Sequence, residues 1–283
     1  MIDGPLRPFG GAMMQALSPE AIVRDIEESY ASRLGPGGIP RVNDDGPRKV
    51  VGLISPHAGY MYSGPGAAHC YARLAADQRP DVVVVIGVNH GSRNALSAIQ
   101  TSGAWQTPLG IVPIEEEMAR RIADALPELK DSASAMEDEH SLEVQLPFLQ
   151  HLYGDTFSLV PIMIASEPLP FCLTAGTIVA HAMAGRNAVV IASTDMTHYG
   201  LPSEVKRQDA GLIEFMLRLD AEGFWHARER SRASVCGYAP VTATLAAAKA
   251  LGAVRGEKLS YYTSGEIHPG TVVGYASVAL VRD

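Results

Sequence analysis

Three histidines follow three apolar runs of the sequence, each within a few residues of the end of its run. The runs are KVVGLIS, DVVVVIG and AVVIAS, and the histidines are His57, His90 and His198. If the runs are strands of one open α/β sheet, the loops beyond their carboxyl ends converge on a single crevice. Imidazole nitrogen binds divalent zinc, copper, iron and nickel. The spacing therefore predicts a metal site at this edge of the sheet.

Two further residues could complete such a site. Asp195 lies three residues before the last of these histidines, and Cys236 lies shortly before Pro240, where PVTATLAAAKALG predicts a helix. The positive end of a helix dipole stabilises a nearby thiolate, so Cys236 is also the best candidate for a nucleophile. The other cysteines, Cys70 and Cys172, fall in Ala- and Leu-rich helical stretches and are predicted to be core residues.

An acidic run, Glu137 to Glu139, leads into His140 at the start of a predicted helix. Carboxylates at a helix start are stabilised by the helix dipole, and this can be their only role. A neighbouring carboxylate can also orient His140 or shift its pKa, as proton transfer requires. Both interpretations are open at this point.

Two tyrosines stand beside the strand-end histidines. Tyr60 follows His57 by three residues, and Tyr199 follows His198 directly. We expect both to line the crevice and contact a substrate. The alternative is that they only pack, each with a satisfied hydroxyl, as buried tyrosines often do.

The elements that must position these residues alternate along the chain. Apolar runs without a period of two suit a sheet that is covered on both faces, and the strand–helix alternation indicates mainly parallel pairing. LSAIQ and IVPI around the turn TPLG predict a hairpin, and SYYTSGEI with TVVGYASVALV predicts a closing antiparallel pair. The predicted fold is α/β: a three-layer sandwich with a mainly parallel, mixed-edge central sheet.

The first 48 residues differ from the rest. A helix is predicted from Ser18 to Leu34, with Ser18 as N-cap and Pro19 in the first turn, and a Gly/Pro-rich link follows. No second linker of this strength occurs. We therefore divide the chain into an N-terminal arm, 1–48, with one helix, and a single α/β domain, 49–283.

The composition excludes several classes of function. The chain of 283 residues has 23 basic and 31 acidic residues, a net charge of -8, and no cluster of Lys and Arg, which argues against nucleic-acid binding. No apolar run is long enough for a membrane span. Three widely spaced cysteines do not suit a disulfide framework. We expect a cytoplasmic protein.

Several of these motifs agree in order and separation with one known family. The set PHAGY…SG, GxNH, TPLG, EDEHSxExQLPFL, STDMTHYG and VCGYAPV, from about Lys49 to the C-terminus, resembles the Memo family, also called AmmeMemoRadiSam system protein B. The resemblance implies a fold like that of class III extradiol dioxygenases, which are non-haem iron enzymes. It also implies metal ligands at His57, His90 and Cys236, and AMMECR-like and radical-SAM proteins as partners.

In those dioxygenases the third ligand is a carboxylate, and the residues equivalent to His140 and His198 act on substrate and oxygen. Here the third position is Cys236, a softer and oxidisable ligand. We predict a redox enzyme (oxidase or dioxygenase-like) that uses Fe(II) or copper, with zinc as a further option, and His198, Asp195 and His140 as catalytic residues. The alternatives are a metal-free hydrolase with Cys236 as nucleophile, and a non-catalytic scaffold that binds a peptide or phosphorylated ligand.

Overall fold

Strands and helices alternate along most of the chain. The structure, a computed structural model, describes residues 6–7, 18–91 and 96–283. Its strands are β1 (Leu6–Arg7), β2 (Val50–Ser55), β3 (Val82–Val88), β4 (Ala98–Ile99), β5 (Ala104–Thr107), β6 (Gly110–Pro113), β7 (Lys130–Asp131), β8 (Ser158–Ile164), β9 (Ala188–Ser193), β10 (Arg255–Thr263) and β11 (Gly274–Val281). Its helices are α1 (Pro19–Ala31), α2 (Tyr60–Ala75), α3 (Glu116–Ala125), α4 (His140–Glu143), α5 (Leu146–Tyr153), α6 (Leu169–Met183), α7 (Pro202–Leu217), α8 (Ala221–Ser231) and α9 (Tyr238–Ala250).

Eight strands form the main sheet in the order β10-β11-β2-β9-β3-β8-β4-β7, and β1, β5 and β6 form a small second sheet. The central strands β2, β9, β3 and β8 run parallel. Every residue of β2, β3 and β9 is buried, because α1, α2, α4 and α5 cover one face and α3 and α6 to α9 cover the other. Double coverage is why these strands are continuously apolar. The predicted three-layer α/β sandwich is confirmed.

Antiparallel strands flank the parallel centre, as the prediction of mixed edges required. At one edge β10 pairs with β11 and β11 pairs with β2, both antiparallel. This is the predicted closing pair. At the other edge β4 runs antiparallel to β8.

The predicted hairpin has the right turn but the wrong first strand. β6 pairs with β5, which is AWQT, around the turn at Thr107 to Gly110. The run LSAIQ instead supplies β4, whose residues Ala98 and Ile99 pair with β8 and are fully buried. The edge of the main sheet buries these two apolar side chains, which a surface hairpin would leave more exposed to water.

Two helices begin earlier than the sequence indicated. The Ala-rich stretch from about Gly66 to Ala76 predicts one helix, but this helix, α2, already begins at Tyr60 and contains Pro65 in its interior. α9 begins at Tyr238 and not at Pro240. Pro240 lies in the first turn of α9 and loses no intrahelical hydrogen bond, because the first N–H groups of a helix have no partner there. Pro65 lies beyond the first turn of α2 and therefore removes one intrahelical donor.

The N-terminal helix is present as α1. The Ser18 side chain accepts a hydrogen bond from the Ala21 N–H at 3.2 Å, and Pro19 is the first helical residue. The face that packs against α2 and α5 buries three side chains completely: Ile22, Ile26 and Tyr30. Within the described residues, none of the helices has the length and apolarity to cross a membrane.

Candidate metal centre

A cavity of about 510 Å³ opens at the carboxyl ends of β2, β3 and β9. It is lined by His57, Ala58, His90, His140, Asp195, His198, Tyr199, Ser234, Cys236, Val273 and Tyr275. The loop after each of these three strands supplies a histidine, α4 supplies a fourth, and the segment before α9 supplies the cysteine. The convergence follows from parallel pairing, which brings the three strand ends to one edge.

His57 is 2% exposed and has a defined tautomer. The Ser193 hydroxyl donates to the Ser141 carbonyl at 2.5 Å and accepts from Gln145 Nε2 at 2.8 Å. A hydroxyl has one proton, so His57 Nδ1, 3.0 Å from Ser193 Oγ, must be the donor in that contact. Nε2 of His57 therefore keeps its lone pair. Burial, with the neighbouring His90 and His140, lowers the pKa of His57 well below its usual value.

His90 is held by Glu139 at two points. The Glu139 carboxylate accepts hydrogen bonds from His90 N at 2.7 Å and from His90 Nδ1 at 2.9 Å. It also accepts from Ser141 N at 2.7 Å, as the N-cap of α4. Burial of Glu139 opposes its ionisation, but the hydrogen bonds from His90 and Ser141, together with the charge that His90 carries when protonated, outweigh that effect and lower the pKa of Glu139 to about 2. The carboxylate leaves Nε2 of His90 free to bind.

Cys236 lies directly against His57. Its Sγ is 3.2 Å from His57 Nε2 and accepts a hydrogen bond from Asp195 N at 3.2 Å. α9 begins two residues later, as expected for a thiol near a helix start, but burial and the negative charge of Asp195 raise the pKa of Cys236 to about 12. The expected stabilisation of the thiolate by the helix is thus outweighed. The other cysteines are fully buried core residues, as predicted.

The structure brings the three expected ligands together. The ligand atoms of His57, His90 and Cys236 all lie within 4.8 Å of one another. Two imidazole nitrogens with free lone pairs and one sulfur form a donor set that suits zinc, copper or iron. A metal ion held by only three protein ligands would keep a coordination position for a further ligand. The residues present therefore fit a metal ion.

His198 and Asp195 line the cavity but do not bond to each other through their side chains. The Asp195 carboxylate accepts a hydrogen bond from His57 N at 2.9 Å, and burial raises its pKa. His198 Nδ1 lies 2.8 Å from the carbonyl oxygen of Ser234, which can only accept, so Nδ1 carries the proton. The residue that orients His198 is thus Ser234. The electrostatic attraction of His198 partly offsets the effect of burial on the pKa of Asp195.

His140 reaches the cavity from α4, on the side of His90. The two rings stack with centroids 4.7 Å apart and an interplanar angle of 16°. Its Nδ1 is 3.8 Å from Glu139 Oε1, whereas His90 Nδ1 is 2.9 Å from the same oxygen. The acidic run therefore primarily orients His90. Burial lowers the pKa of His140.

The two tyrosines have different surroundings. Tyr199 lies on the rim, 79% exposed, with a φ of 58° that is unusual for a residue with a side chain. Tyr60 is 7% exposed, donates its hydroxyl to the Val144 carbonyl at 2.7 Å and packs on Phe148. Tyr60 is not among the described residues that line the cavity, so the structure does not bring it to the site.

Several residues of the site were not identified from the sequence. Ser193 and Gln145 orient His57, Glu139 orients His90, and Ser234 orients His198. Val273 and Tyr275 form another part of the wall. A signal existed for Glu139 alone, because a carboxylate was expected to orient a histidine in this region. The others are small or neutral residues without a distinctive spacing.

The fold and sequence have known relatives. The crystal structure of uncharacterized protein JW3007 from Escherichia coli K12 matches with a TM-score of 0.51 and 16% identity, over 82% of this chain and 100% of that chain, which indicates a shared fold. A MEMO1 family protein of Methanopyrus kandleri is 42% identical over 268 residues, covering 93% of this chain and 94% of that protein. A MEMO1 family protein of Methanothermobacter thermautotrophicus is 38% identical over 277 residues, covering 96% and 99%.

The sequence model of the Memo-like protein family matches residues 15–279. The match begins in front of α1, so the resemblance extends well before Lys49, where we expected it to start. It includes every ligand and wall residue of the cavity described above. The extent of this match and the identities of 42% and 38% to the two MEMO1 family proteins show that the chain belongs to the Memo-like protein family.

Proposed function

We propose that this protein is a metal-dependent redox enzyme whose His57, His90 and Cys236 bind Fe(II) or copper. The observation that carries the proposal is the convergence of these three ligand atoms, within 4.8 Å of one another, in an accessible cavity. Zinc binds the same donor types and is a further option for the resident ion. A bound iron or copper ion would supply one-electron chemistry.

The residues of the chain prepare this site for a cation. Ser193 and Glu139 hold the Nδ1 protons of His57 and His90, so both Nε2 atoms present lone pairs. Cys236 enters as a thiolate, so metal binding releases the thiol proton. Because the pKa of this buried thiol is raised, the proton competes with the metal for Cys236, and metal affinity should fall as the pH is lowered.

His198 has the features of a general base or acid. With Nδ1–H fixed on the Ser234 carbonyl, Nε2 can take or return a proton. His140, stacked on His90, is placed to assist on the same cavity wall. We expect a small-molecule or peptide ligand to enter past Tyr199 and exchange a proton with His198.

The first test is metal content. The protein is purified anaerobically without chelator and analysed for metals alongside Cys236→Ser and His90→Ala. Cys172→Ser, in the core, and His226→Ala, on the surface of α8, are matched controls. We expect stoichiometric metal in the wild type and controls and most of it lost from the ligand variants. Equal metal in all five proteins would contradict the proposed site.

The second test asks whether Cys236 is a ligand. Cobalt(II)-loaded wild type should show a thiolate-to-metal charge-transfer band that Cys236→Ser lacks.

The third test addresses the redox chemistry. Oxygen uptake by iron- or copper-loaded protein is followed with small phenols and thiols. His198→Ala should retain its metal and lose turnover by about 100-fold or more, the range for a general acid or base. Turnover that is equal in His198→Ala and wild type would exclude this role.

A metal-free hydrolase remains the second candidate, because Cys236 Sγ lies 3.2 Å from a histidine nitrogen, as in a nucleophile–base pair. Iodoacetamide labelling separates the two. A metal-bound thiolate is protected until a chelator is added, whereas a free nucleophile reacts equally with and without chelator. A scaffold for phosphorylated ligands has less support, since no Arg or Lys is among the described residues that line the cavity.

A further inference from the structure

Arg7 is a fully enclosed charge in β1, at the N-terminal end of the chain. Its Nη1 donates to Glu143 Oε2 at 2.7 Å, and both side chains are 0% exposed. Its guanidinium also lies 3.9 Å from the centroid of the Trp105 ring, on the neighbouring strand β5. Such a buried ion pair is not in itself a strong source of stability, because desolvation offsets the attraction. The ion pair alone therefore does not explain why Arg7 is buried at this position.

Nε and Nη2 of Arg7 bind main-chain carbonyls of one segment, residues 136–139. Nε and Nη2 donate to the Met136 carbonyl at 3.0 and 2.8 Å. Nη2 also donates to the Glu139 carbonyl at 2.9 Å and to the Glu137 carbonyl at 3.3 Å. The planar fork of arginine suits several acceptors at once, which an ammonium group does less well. Arg7 thus fixes a loop that lies 129 or more positions away in sequence.

This loop ends in the residue that holds a predicted metal ligand. The main-chain carbonyl of Glu139 is bound to Arg7, while its carboxylate binds both the N–H and Nδ1 of His90. His90 follows the end of β3, beyond the parallel ladder that β3 shares with β8. Its place therefore depends on Glu139, and the place of Glu139 depends on Arg7.

We propose that Arg7 is a positioning residue of the metal site, which acts through the Glu139 main chain and carboxylate to fix His90. The inference rests on the proposed function, since the site is the His57, His90 and Cys236 centre. It assigns a task to the N-terminal strand β1, which does not itself touch the cavity.

The test separates positioning from stability. Arg7→Met is compared with Arg48→Met. Arg48 is also a buried arginine beside a carboxylate, Asp77. It lies just before the amino end of β2, at the opposite end of the strands from the cavity. Two quantities are measured at a temperature where both variants are folded: zinc affinity by competition with a chelator, and the ring ¹⁵N and Nδ1–H resonances of the histidines in metal-free protein.

In Arg7→Met we expect zinc affinity to fall by about 10- to 100-fold, the range for loss of an outer-sphere partner. The Nδ1–H resonance of His90 should broaden or shift, while those of His57 and His198 stay in place. Arg48→Met should keep wild-type values of both. An unchanged His90 resonance, or an equal loss of zinc affinity in Arg48→Met, would overturn the proposal.

Two further controls keep the outcomes distinct. If Arg7→Met does not fold because the buried Glu143 loses its ion pair with Arg7, the double variant Arg7→Met/Glu143→Met removes both charges and carries the same expectations. If the wild type binds no metal, the proposed function fails. The resonances of metal-free His90 still decide whether Arg7 positions this residue.

Discussion

Three histidines of the cavity share one arrangement of protons. In each ring the Nδ1–H donates to an acceptor of the protein, which leaves the lone pair on Nε2. The acceptors are Ser193 Oγ for His57, Glu139 Oε1 for His90 and the Ser234 carbonyl for His198. A fixed tautomer and a fixed ring angle raise the affinity of a histidine for metal and its value as a base. The same geometry therefore serves ligands and a proton carrier.

At the residue scale, Glu139→Gln tests this arrangement. A neutral amide has one oxygen, so it cannot accept all three hydrogen bonds from His90 and Ser141, and its NH₂ group would face the donors. We expect metal affinity to fall by about 10- to 100-fold, measured by chelator competition. Glu137→Gln, two positions earlier and exposed, is the matched control and should bind as wild type does. Equal affinity in both variants would show that Glu139 does not support His90.

At the scale of elements, the short helix α4 rests directly on the backbone of β3. Ser141 accepts a hydrogen bond from Val88 N at 3.1 Å, and its carbonyl accepts from Ser193 of β9. The close approach requires Gly87, because a Cβ there would lie 2.5 Å from Ser141 Oγ and 2.6 Å from Leu142 Cδ1. One helix turn thus carries His140 and the N-cap Glu139 to the strand ends.

Gly87→Ala should therefore damage both the fold and the site. We expect unfolding free energy to fall by about 1–3 kcal/mol, the cost of overpacking a core, together with weaker metal binding. The control is Gly211→Ala on the exposed side of α7, where the added Cβ meets nothing within 4 Å. That change should stabilise the helix by about 0.4–1 kcal/mol. Chemical denaturation measures the unfolding free energy of both variants. An unchanged unfolding free energy in Gly87→Ala would contradict the close packing of α4.

At the scale of the whole molecule, the N-terminal helix shares the core of the sheet. Ile22, Ile26 and Tyr30 belong to the same buried cluster as the residues of β3 and β9. The division into an arm, 1–48, and a domain, 49–283, remains a prediction. The burial of α1 defines how that division can be tested.

Ile26→Ala is the test. If α1 is integral to the core, removing a fully buried isoleucine side chain should cost about 2–5 kcal/mol. Ile39→Ala, in the link after the helix where the side chain is 52% exposed, should change the unfolding free energy by less than about 0.5 kcal/mol. A single cooperative transition is expected in both. If Ile26→Ala costs no more than Ile39→Ala, the helix is a peripheral arm.

Fold class and strand-end histidines were predictable from the sequence, because both are written in local patterns. Apolar runs of strand length between helical stretches imply a covered parallel sheet, and parallel strands bring the loops after them to one edge. The first strand of the hairpin was predicted wrongly, because a local pattern does not distinguish two short apolar runs. AWQT and LSAIQ are both short and partly apolar. Only the tertiary structure, in which LSAIQ lies beside β8, decides which of the two runs joins the main sheet.

The partners of the site residues were decided by the tertiary structure alone. Sequence pattern by itself does not connect Glu139 with His90, 49 positions away, Ser234 with His198, 36 positions away, or Arg7 with Glu139, 132 positions away. The pKa of Cys236 likewise depends on burial and on Asp195, which outweigh the helix start visible in the sequence. The sequence by itself determined that the strand-end histidines reach the crevice. Their protonation and orientation come from contacts between distant segments, and only packing of the whole chain creates those contacts.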